Sequence, residues 1–264
     1  MEITLSVLDK AGEVRARKTG NEAVSLFFRH AYAPGDRITV ETGSPGSFLT
    51  LSIDNTLPPA VVFMKEGAFS FPVPFGDAKT TYAPTAFSGE NHRISAHATG
   101  PDALSGIRNL ALNPADHGAS VAAYPHAFAS VETRGEAAFA ARNAIDGEIA
   151  SDDHGFWPYT SWGINCDPEA MMTVEFGRRV VARSVVLFTR ADFPHDAWWT
   201  SARITFSDGH SINVPLEKTG AGQRFAFPER ETEWVRLEKL VKADDPSPFP
   251  ALTQIEVWGR EAGP

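Results

Sequence analysis

Two β-rich runs lie close together in the second half of the chain, Met172-Thr173-Val174-Glu175-Phe176-Gly177 and Ser184-Val185-Val186-Leu187-Phe188. The first run alternates apolar and polar side chains, which is typical of a strand with one face buried and the other exposed. The second run is short and apolar, which is typical of an internal strand. Together they predict the interior of a β domain.

Runs of the same kind recur along the whole chain, and those between 37 and 75 are bounded by Gly, Pro or Asn. They lie at 3–7, 24–28, 37–41, 48–53, 60–64 and 68–75, and then at 202–206, 211–214, 234–237 and 253–258. The first hundred residues contain no apolar stretch with the period of a helix. The 21 glycines and 19 prolines suit many short turns. The predicted fold class is all-β, with two β-sandwich domains and short helices.

The length of 264 residues is enough for about two domains. The strand pattern weakens at 99–118, where prolines and glycines interrupt it. We therefore predict an N-terminal β-sandwich domain at 1–110 and a C-terminal domain at 120–264. The Ala-rich stretch 135–144 is the best candidate for a helix, because alanine has the highest helix propensity.

Composition excludes several classes of function. The chain has a net charge of -9 and no cluster of Lys and Arg that would follow a phosphate backbone, so nucleic acid and anionic membrane are not expected partners. One cysteine, Cys166, rules out an internal disulfide and is interpreted as a minor loop residue. The N-terminus has no signal-peptide pattern and no run reaches membrane-spanning length, so we expect a cytoplasmic protein.

Several short motifs in the second half occur in an order typical of one known family. They are Ala140-Ala141-Arg142-Asn143-Ala144-Ile145-Asp146-Gly147, Trp162, Val174-Glu175-Phe176-Gly177, Ser207-Asp208-Gly209, Trp234-Val235-Arg236-Leu237 and Ile255-Glu256-Val257-Trp258-Gly259. Residues 124–260 thus resemble the discoidin or coagulation-factor type C family, a galactose-binding-like jelly roll that includes family 32 carbohydrate-binding modules. The first half resembles this sandwich only in its strand pattern.

The resemblance implies a ligand site formed by loops at one end of the sandwich, in a family whose members bind sugars, lipids or proteins. Sugars present apolar faces and a rim of hydroxyls, so their sites combine aromatic rings with bidentate polar groups. The segment 189–199 offers both kinds of side chain. Its candidates for ligand binding are Arg190, Asp192, His195, Asp196, Trp198 and Trp199.

The alternative interpretation of this segment is structural. Trp198 and Trp199 would then pack the loop or the core, and Arg190 would pair with Asp192. Because side chains alternate in an extended chain, one of the two tryptophans should face inward and the other outward.

A second loop, 154–165, is expected at the same end because related modules often place the corresponding loop there. Its candidates for ligand binding are His154, Trp157, Tyr159 and Trp162. The alternative is that Trp162 is the buried tryptophan of the family and that the others pack the loop. Arg134 and Glu136 are weaker candidates, since surface charge explains them equally well.

Relatives often hold a structural Ca²⁺ near the Asp-Gly turn. The resemblance therefore implies Asp146, Glu148 and Glu256 as metal ligands, since calcium requires several oxygen donors. Gln254 departs from this pattern, because it stands where an acid is expected.

The leading hypothesis is a carbohydrate-binding protein whose ligand is a saccharide. The first alternative is a carbohydrate-active hydrolase or lyase, in which His154, His195, Asp192, Asp196 and Glu136 supply acid–base groups. No nucleophile elbow, phosphate-binding loop, dinucleotide fingerprint or zinc motif accompanies them, so no catalytic residue is assigned. The second alternative is a module that binds another protein through the same loops.

Overall fold

A computed structural model describes residues 1–118, 122–152, 155–191 and 197–263. The first part of the chain forms eight strands: β1 (Glu2–Leu8), β2 (Val14–Asn21), β3 (Ala23–Phe28), β4 (Arg37–Thr42), β5 (Ser47–Ser52), β6 (Ala60–Met64), β7 (Ala68–Pro72) and β8 (His92–Ala98). A 3-10 helix (Gly76–Thr81) separates β7 from β8, and a short α-helix, α1 (Pro101–Ser105), follows β8.

The second part contributes β9 (Arg108–Asn109), β10 (Ala123–Tyr124), β11 (His126–Ala129), β12 (Trp162–Gly163), β13 (Met172–Thr189), β14 (Trp199–Phe206), β15 (Ser211–Pro215), β16 (Gln223–Lys242) and β17 (Ala251–Glu261). Three 3-10 helices, Thr133–Gly135, Ala137–Phe139 and Ala141–Ile145, lie between β11 and β12. Within the described ranges, no helix is long and apolar enough to cross a membrane.

The N-terminal half is a sandwich of two antiparallel sheets with the strand orders β2-β1-β4-β7 and β10-β6-β5-β8-β3. Alternation in the sequence explains the core, because every second side chain of a strand faces the same side. In β4, for example, Ile38 and Val40 are fully buried, whereas Glu41 is exposed.

In the C-terminal half the strand order is β12-β17-β13-β16-β14-β15, and β11 adds to β13. The long strand β13 pairs with β11 over its first residues and with β17 after an irregularity between Glu175 and Val180. Gly177 lies in this irregularity with a φ of +69°, a conformation that favours glycine. The predicted all-β class with two β-sandwiches and short helices is confirmed.

The Ala-rich stretch 135–144 does not form the predicted helix. It contains two 3-10 turns, and Ala140 between them is extended, with a ψ of 148°. The side chain of Glu132 accepts a hydrogen bond from the backbone N–H of Ala141 at 2.8 Å, which holds this break in place. Tertiary contacts therefore override the intrinsic helix propensity of the alanines.

The two hydrophobic cores do not separate at one point in the sequence. β9 pairs with β17, and the adjacent Leu110 and Ala111 belong to the C-terminal core. Further along, Ala115 and Ala123 belong to the N-terminal core, and β10 pairs with β6. The chain thus passes between the cores more than once within 108–127.

Side chains from both halves also pack together at this junction. The guanidinium of Arg178 lies over the rings of Phe48 and Phe63, at 4.9 and 5.2 Å from their centroids. A Cβ on Gly177 would lie 2.5 Å from the ring of Tyr124, so a larger residue does not fit without a shift. The halves are packed closely rather than joined by a free linker.

A buried ion pair, His126 with Asp116, lies at the same junction. The Asp116 carboxylate accepts from the Nδ1 of His126 at 2.7 Å and from the backbone N–H of Ala127 at 2.9 Å. Burial lowers the pKa of His126, but the hydrogen bond and charge of Asp116 outweigh this, so the pKa is raised above its usual value of 6.5. Glu175, opposite His126 on β13, raises it further.

We expect the free energy of unfolding to fall as the pH rises through the raised pKa of His126. A histidine with a higher pKa in the folded chain contributes stability that is complete below the unfolded pKa and is lost as the pH passes the folded pKa. Urea unfolding at a series of pH values from about 6 upward should show this loss of unfolding free energy in the wild type. In Asp116→Asn that loss should be smaller than in the wild type; an equal pH dependence in both proteins would contradict the assignment.

Candidate functional site

A cavity of about 300 Å³ lies at the end of the C-terminal sandwich where β13 ends and β17 begins. We refer to it as the loop-end cavity. Its walls come from the 3-10 turns that follow β11, from the end of β12 and the two residues after it, and from the residue that follows β13. The segment that leads into β17 and the first residue of β17 complete them. The lining residues are Thr133, Arg134, Phe139, Gly163, Ile164, Asn165, Arg190, Ser247, Phe249, Pro250 and Ala251.

Arg190 is held firmly in the wall of this cavity. It follows the last residue of β13, and its backbone N–H donates to the carbonyl of Ala251 at 2.8 Å. Its Nη1 donates to the carbonyl of Tyr159 at 2.8 Å, and the residue is only 2% exposed. The strand and these bonds therefore fix a cation beside the cavity.

Phe249 supplies an apolar surface in the same cavity and is 43% exposed. Arg134 lies nearby, and its guanidinium donates two hydrogen bonds to Glu136 at 2.6 and 3.0 Å. Asn165 is held by a bond of 2.9 Å from its backbone N–H to the hydroxyl of Thr133. The cavity thus combines a ring face with hydrogen-bond donors.

Two lining residues have a strained backbone. Arg134 has a φ of 54° and Asn165 a φ of 50°. Such left-handed conformations are uncommon outside glycine, and they concentrate at ligand sites and switch regions. Glu22, Phe87 and Lys239, which do not line this cavity, share the conformation, so these φ values alone do not mark a site.

Several predicted polar ligands fall on parts of the chain that are not described. Asp192, His195, Asp196 and His154 lie outside the described residues. These are also the acid–base groups of the enzyme alternative, apart from Glu136, which pairs with Arg134.

The predicted aromatic ligands divide into three groups. Trp162 and Trp199 are 0% and 1% exposed, so no indole surface is left for a ligand, and the prediction of ligand contact is wrong for both. The hydrophobic effect places them in the core, where the indole N–H of Trp162 donates to the carbonyl of Val131 at 3.0 Å. Tyr159 is also buried and packs with Ala138 and Phe139.

Trp198 is half-buried, as expected for the partner of an inward-facing Trp199, but it does not line the loop-end cavity. Its carbonyl accepts from the backbone N–H of Ala243 at 2.9 Å. Trp157 is also partly exposed, and it lines a different cavity.

This second cavity, the junction cavity, measures about 130 Å³ and lies between the two sandwiches. The N-terminal half and the linker contribute Thr56, Leu57, Pro58, Thr81, Tyr82, Ala83 and Pro114, and the C-terminal half contributes Arg142, Asp146, Gly147, Glu148 and Trp157. Burial raises the pKa of Asp146 to about 7, although the charge of Arg142 acts in the opposite direction.

Two of the three predicted calcium ligands make other contacts in the structure. Asp146 faces the guanidinium of Arg142, and Glu256 accepts a hydrogen bond of 2.6 Å from the indole of Trp258. Gln254 presents its side-chain oxygen to the backbone N–H of Gly147 at 3.4 Å. Among the described residues, no group of three or more His, Cys, Asp or Glu side chains is arranged to hold a metal. These contacts do not fit the several oxygens that Ca²⁺ requires.

Sequence reasoning missed part of the loop-end cavity. Phe249 follows a proline-rich segment far from the two predicted loops, and no periodic pattern marks it. Asn165 lies at the end of the predicted loop 154–165 but is not among the predicted ligand-binding residues of that loop. In the sequence, a phenylalanine between two prolines in a polar segment is the signal that could have indicated an exposed ring at Phe249.

The sequence profile of a domain of unknown function, DUF7402, matches residues 120–246. A search of curated proteins finds no match.

Several solved structures are similar to the chain. Chitosan-binding module 1 from a chitosanase/glucanase of Paenibacillus sp. IK-5 is 24% identical with a TM-score of 0.40, covering 58% of this chain and 99% of that one. The family 32 module of NanJ from C. perfringens, solved with galactose, is 18% identical with a TM-score of 0.38, covering 50% and 91%. The fucose-binding module SpX-3 of Streptococcus pneumoniae is 14% identical with a TM-score of 0.42, covering 58% and 99%.

A family 32 module is thus among the similar structures. The similarity concerns the fold.

Proposed function

We propose that this protein binds a carbohydrate in the loop-end cavity. The observation that carries the proposal is the combination, in one cavity of about 300 Å³, of the exposed ring of Phe249 with the guanidinium groups of Arg134 and Arg190. A ring face packs against the C–H face of a sugar, and guanidinium donors match its hydroxyls.

The size of the cavity favours a short saccharide. A volume near 300 Å³ is at the lower end of the range for small-molecule sites, which runs from about 300 to 1,000 Å³. The position at the end of the sandwich agrees with what the resemblance to discoidin-like domains implies. The fixed contacts of Arg190 with Tyr159 and Ala251 supply a site that needs little reorganisation on binding.

Phe249→Ala should weaken saccharide binding about tenfold, since loss of a stacking ring costs roughly 1.4 kcal/mol. Arg134→Ala should weaken it several-fold, because the exposed guanidinium is a hydrogen-bond donor at the rim. A glycan array identifies the ligand, and titration calorimetry of the full chain measures the affinities.

Phe156→Ala is the matched control. Phe156 is 71% exposed and lies in the lining of neither cavity, so its loss should leave affinity unchanged. Equal affinity of the wild type, Phe249→Ala and Arg134→Ala would overturn the placement of the site. The absence of binding to any glycan would overturn the function.

A further inference from the structure

We propose that the junction cavity is a second ligand site, which takes one neutral sugar unit between the two sandwiches. The proposal does not rest on the loop-end cavity. It rests on the guanidinium of Arg142, on the two carboxylates beside it and on the aromatic and proline walls.

Arg142 is buried and has unused hydrogen-bonding capacity. It is 9% exposed, and its Nη1 donates to the hydroxyl of Thr81 at 3.1 Å and to the side chain of Asn143 at 3.0 Å. Its Nε and Nη2 have no hydrogen-bond partner among the described residues. A buried donor without a partner destabilises the folded chain, and more so when it is charged, so these two N–H groups favour a ligand that accepts from them.

The distance between Arg142 and Asp146 defines which group fits. The Nη2 of Arg142 lies 3.7 Å from the Oδ2 of Asp146, too far for a hydrogen bond. A hydroxyl beside both atoms can accept from the guanidinium and donate to Asp146 in its ionised form, which a carboxylate or phosphate oxygen cannot do. The pair therefore selects a group that is both donor and acceptor.

The charge of the lining also favours a neutral ligand. Among the described residues that line the cavity, Arg142 is the one cation, and Asp146 and Glu148 bring two carboxyl groups. An anion would gain one attraction and meet two groups that carry negative charge when ionised. A polyhydroxylated neutral molecule can use all three side chains.

The remaining walls suit a ring. Tyr82 is fixed beneath Arg142, whose guanidinium carbon lies 4.7 Å from the centroid of the tyrosine ring. Trp157, Pro58 and Pro114 also line the cavity. The volume of about 130 Å³ is close to the roughly 150 Å³ of an engineered cavity that holds one benzene molecule, so a single six-membered ring is the expected size.

The indole N–H signal of Trp157 in the NMR spectrum of the ¹⁵N-labelled full chain provides the test. The chain has six tryptophans, and the signal missing from Trp157→Phe identifies residue 157. The probes are the methyl glycosides of glucose, galactose, fucose and N-acetylglucosamine, with methyl glucuronide and inorganic phosphate as charged probes. We expect a saturable shift of this signal with at least one neutral glycoside.

Two variants close or alter the site. Pro58 is exposed on the rim, with its Cγ 3.6 Å from the position of a Cβ on Gly147, so Pro58→Trp should block the entrance without disturbing the core. It should weaken the glycoside response at least about tenfold. Arg142→Lys keeps the charge but removes the paired donors, and should also weaken the response.

Phe249→Ala separates this site from the loop-end cavity and should leave the Trp157 response within about twofold of the wild type. The proposal is overturned if no neutral glycoside shifts the signal, or if only the charged probes do. It is equally overturned if the shift persists unchanged in Pro58→Trp, or disappears in Phe249→Ala. Loss of saccharide affinity in Phe249→Ala alone concerns the loop-end cavity and leaves the Trp157 result to stand by itself.

Discussion

Replacement of Trp162 by alanine is expected to destabilise the C-terminal sandwich by about 3 to 5 kcal/mol, the cost of removing a large aromatic side chain from a core. Trp162 is fully buried, and its indole donates to the carbonyl of Val131 at 3.0 Å. The substitution removes both the packing and the bond, and leaves a buried carbonyl without its donor. Calorimetry should show a melting temperature lower by roughly 10 °C.

Trp162→Phe and Phe156→Ala make this test specific. The phenylalanine keeps most of the packing but loses the indole bond, so it should cost about 1 to 2 kcal/mol. Phe156→Ala removes an aromatic side chain that is 71% exposed and should change stability by less than about 0.5 kcal/mol. A melting temperature of Trp162→Ala equal to that of Phe156→Ala would show that Trp162 is not part of the core.

Trp162 also connects the fold to the candidate site. It begins β12, which pairs with the first residues of β17, and Gly163 and Ile164 after it line the loop-end cavity. A loss of packing at Trp162 therefore loosens the cavity wall as well. Reduced saccharide binding by Trp162→Ala would therefore reflect a loss of stability, whereas reduced binding by Phe249→Ala would reflect the loss of a contact with the ligand.

The strands could be predicted from the sequence because their evidence is local. Alternation in Met172-Thr173-Val174-Glu175-Phe176-Gly177 depends only on neighbours along the chain, and the structure places all six residues in β13. The Ala-rich stretch 135–144 shows the limit of local evidence. Its conformation depends on the contact from Glu132 to Ala141 and on packing, which propensity does not contain.

The position of Arg190 at the loop end could be predicted because it follows an internal strand, and strand ends deliver side chains to loops. Phe249 was missed because its neighbours in the cavity, Thr133 and Ile164, are far away in the sequence. Trp157 lies away from the loop-end cavity and lines the junction cavity. Its walls include Leu57 and Tyr82 from the other sandwich, and no pattern within one half of the chain specifies how two halves pack.

Gly259→Ala is expected to have an effect as large as that of Trp162→Ala, for a different reason. Gly259 lies in β17 and pairs with Ala182 of β13 and Arg108 of β9. A Cβ at this position would lie 2.1 Å from the carbonyl oxygen of Val181 and 3.0 Å from the Cα of Ala182. Backbone atoms in a central strand cannot move aside without loss of the pairing, so we expect a cost of about 3 kcal/mol or more, measured by urea unfolding.

The matched control is Gly220→Ala in the same sandwich. Gly220 is exposed, and the nearest atom to its added Cβ would be the carbonyl oxygen of Thr189 at 3.9 Å, an ordinary contact. This variant should unfold within about 0.5 kcal/mol of the wild type. Leu110 also lies 2.9 Å from the added Cβ of Gly259. Gly259→Ala should therefore also disturb the segment in which the chain passes between the two cores. Equal stability of the two variants would mean that β17 and β13 are farther apart than the structure places them.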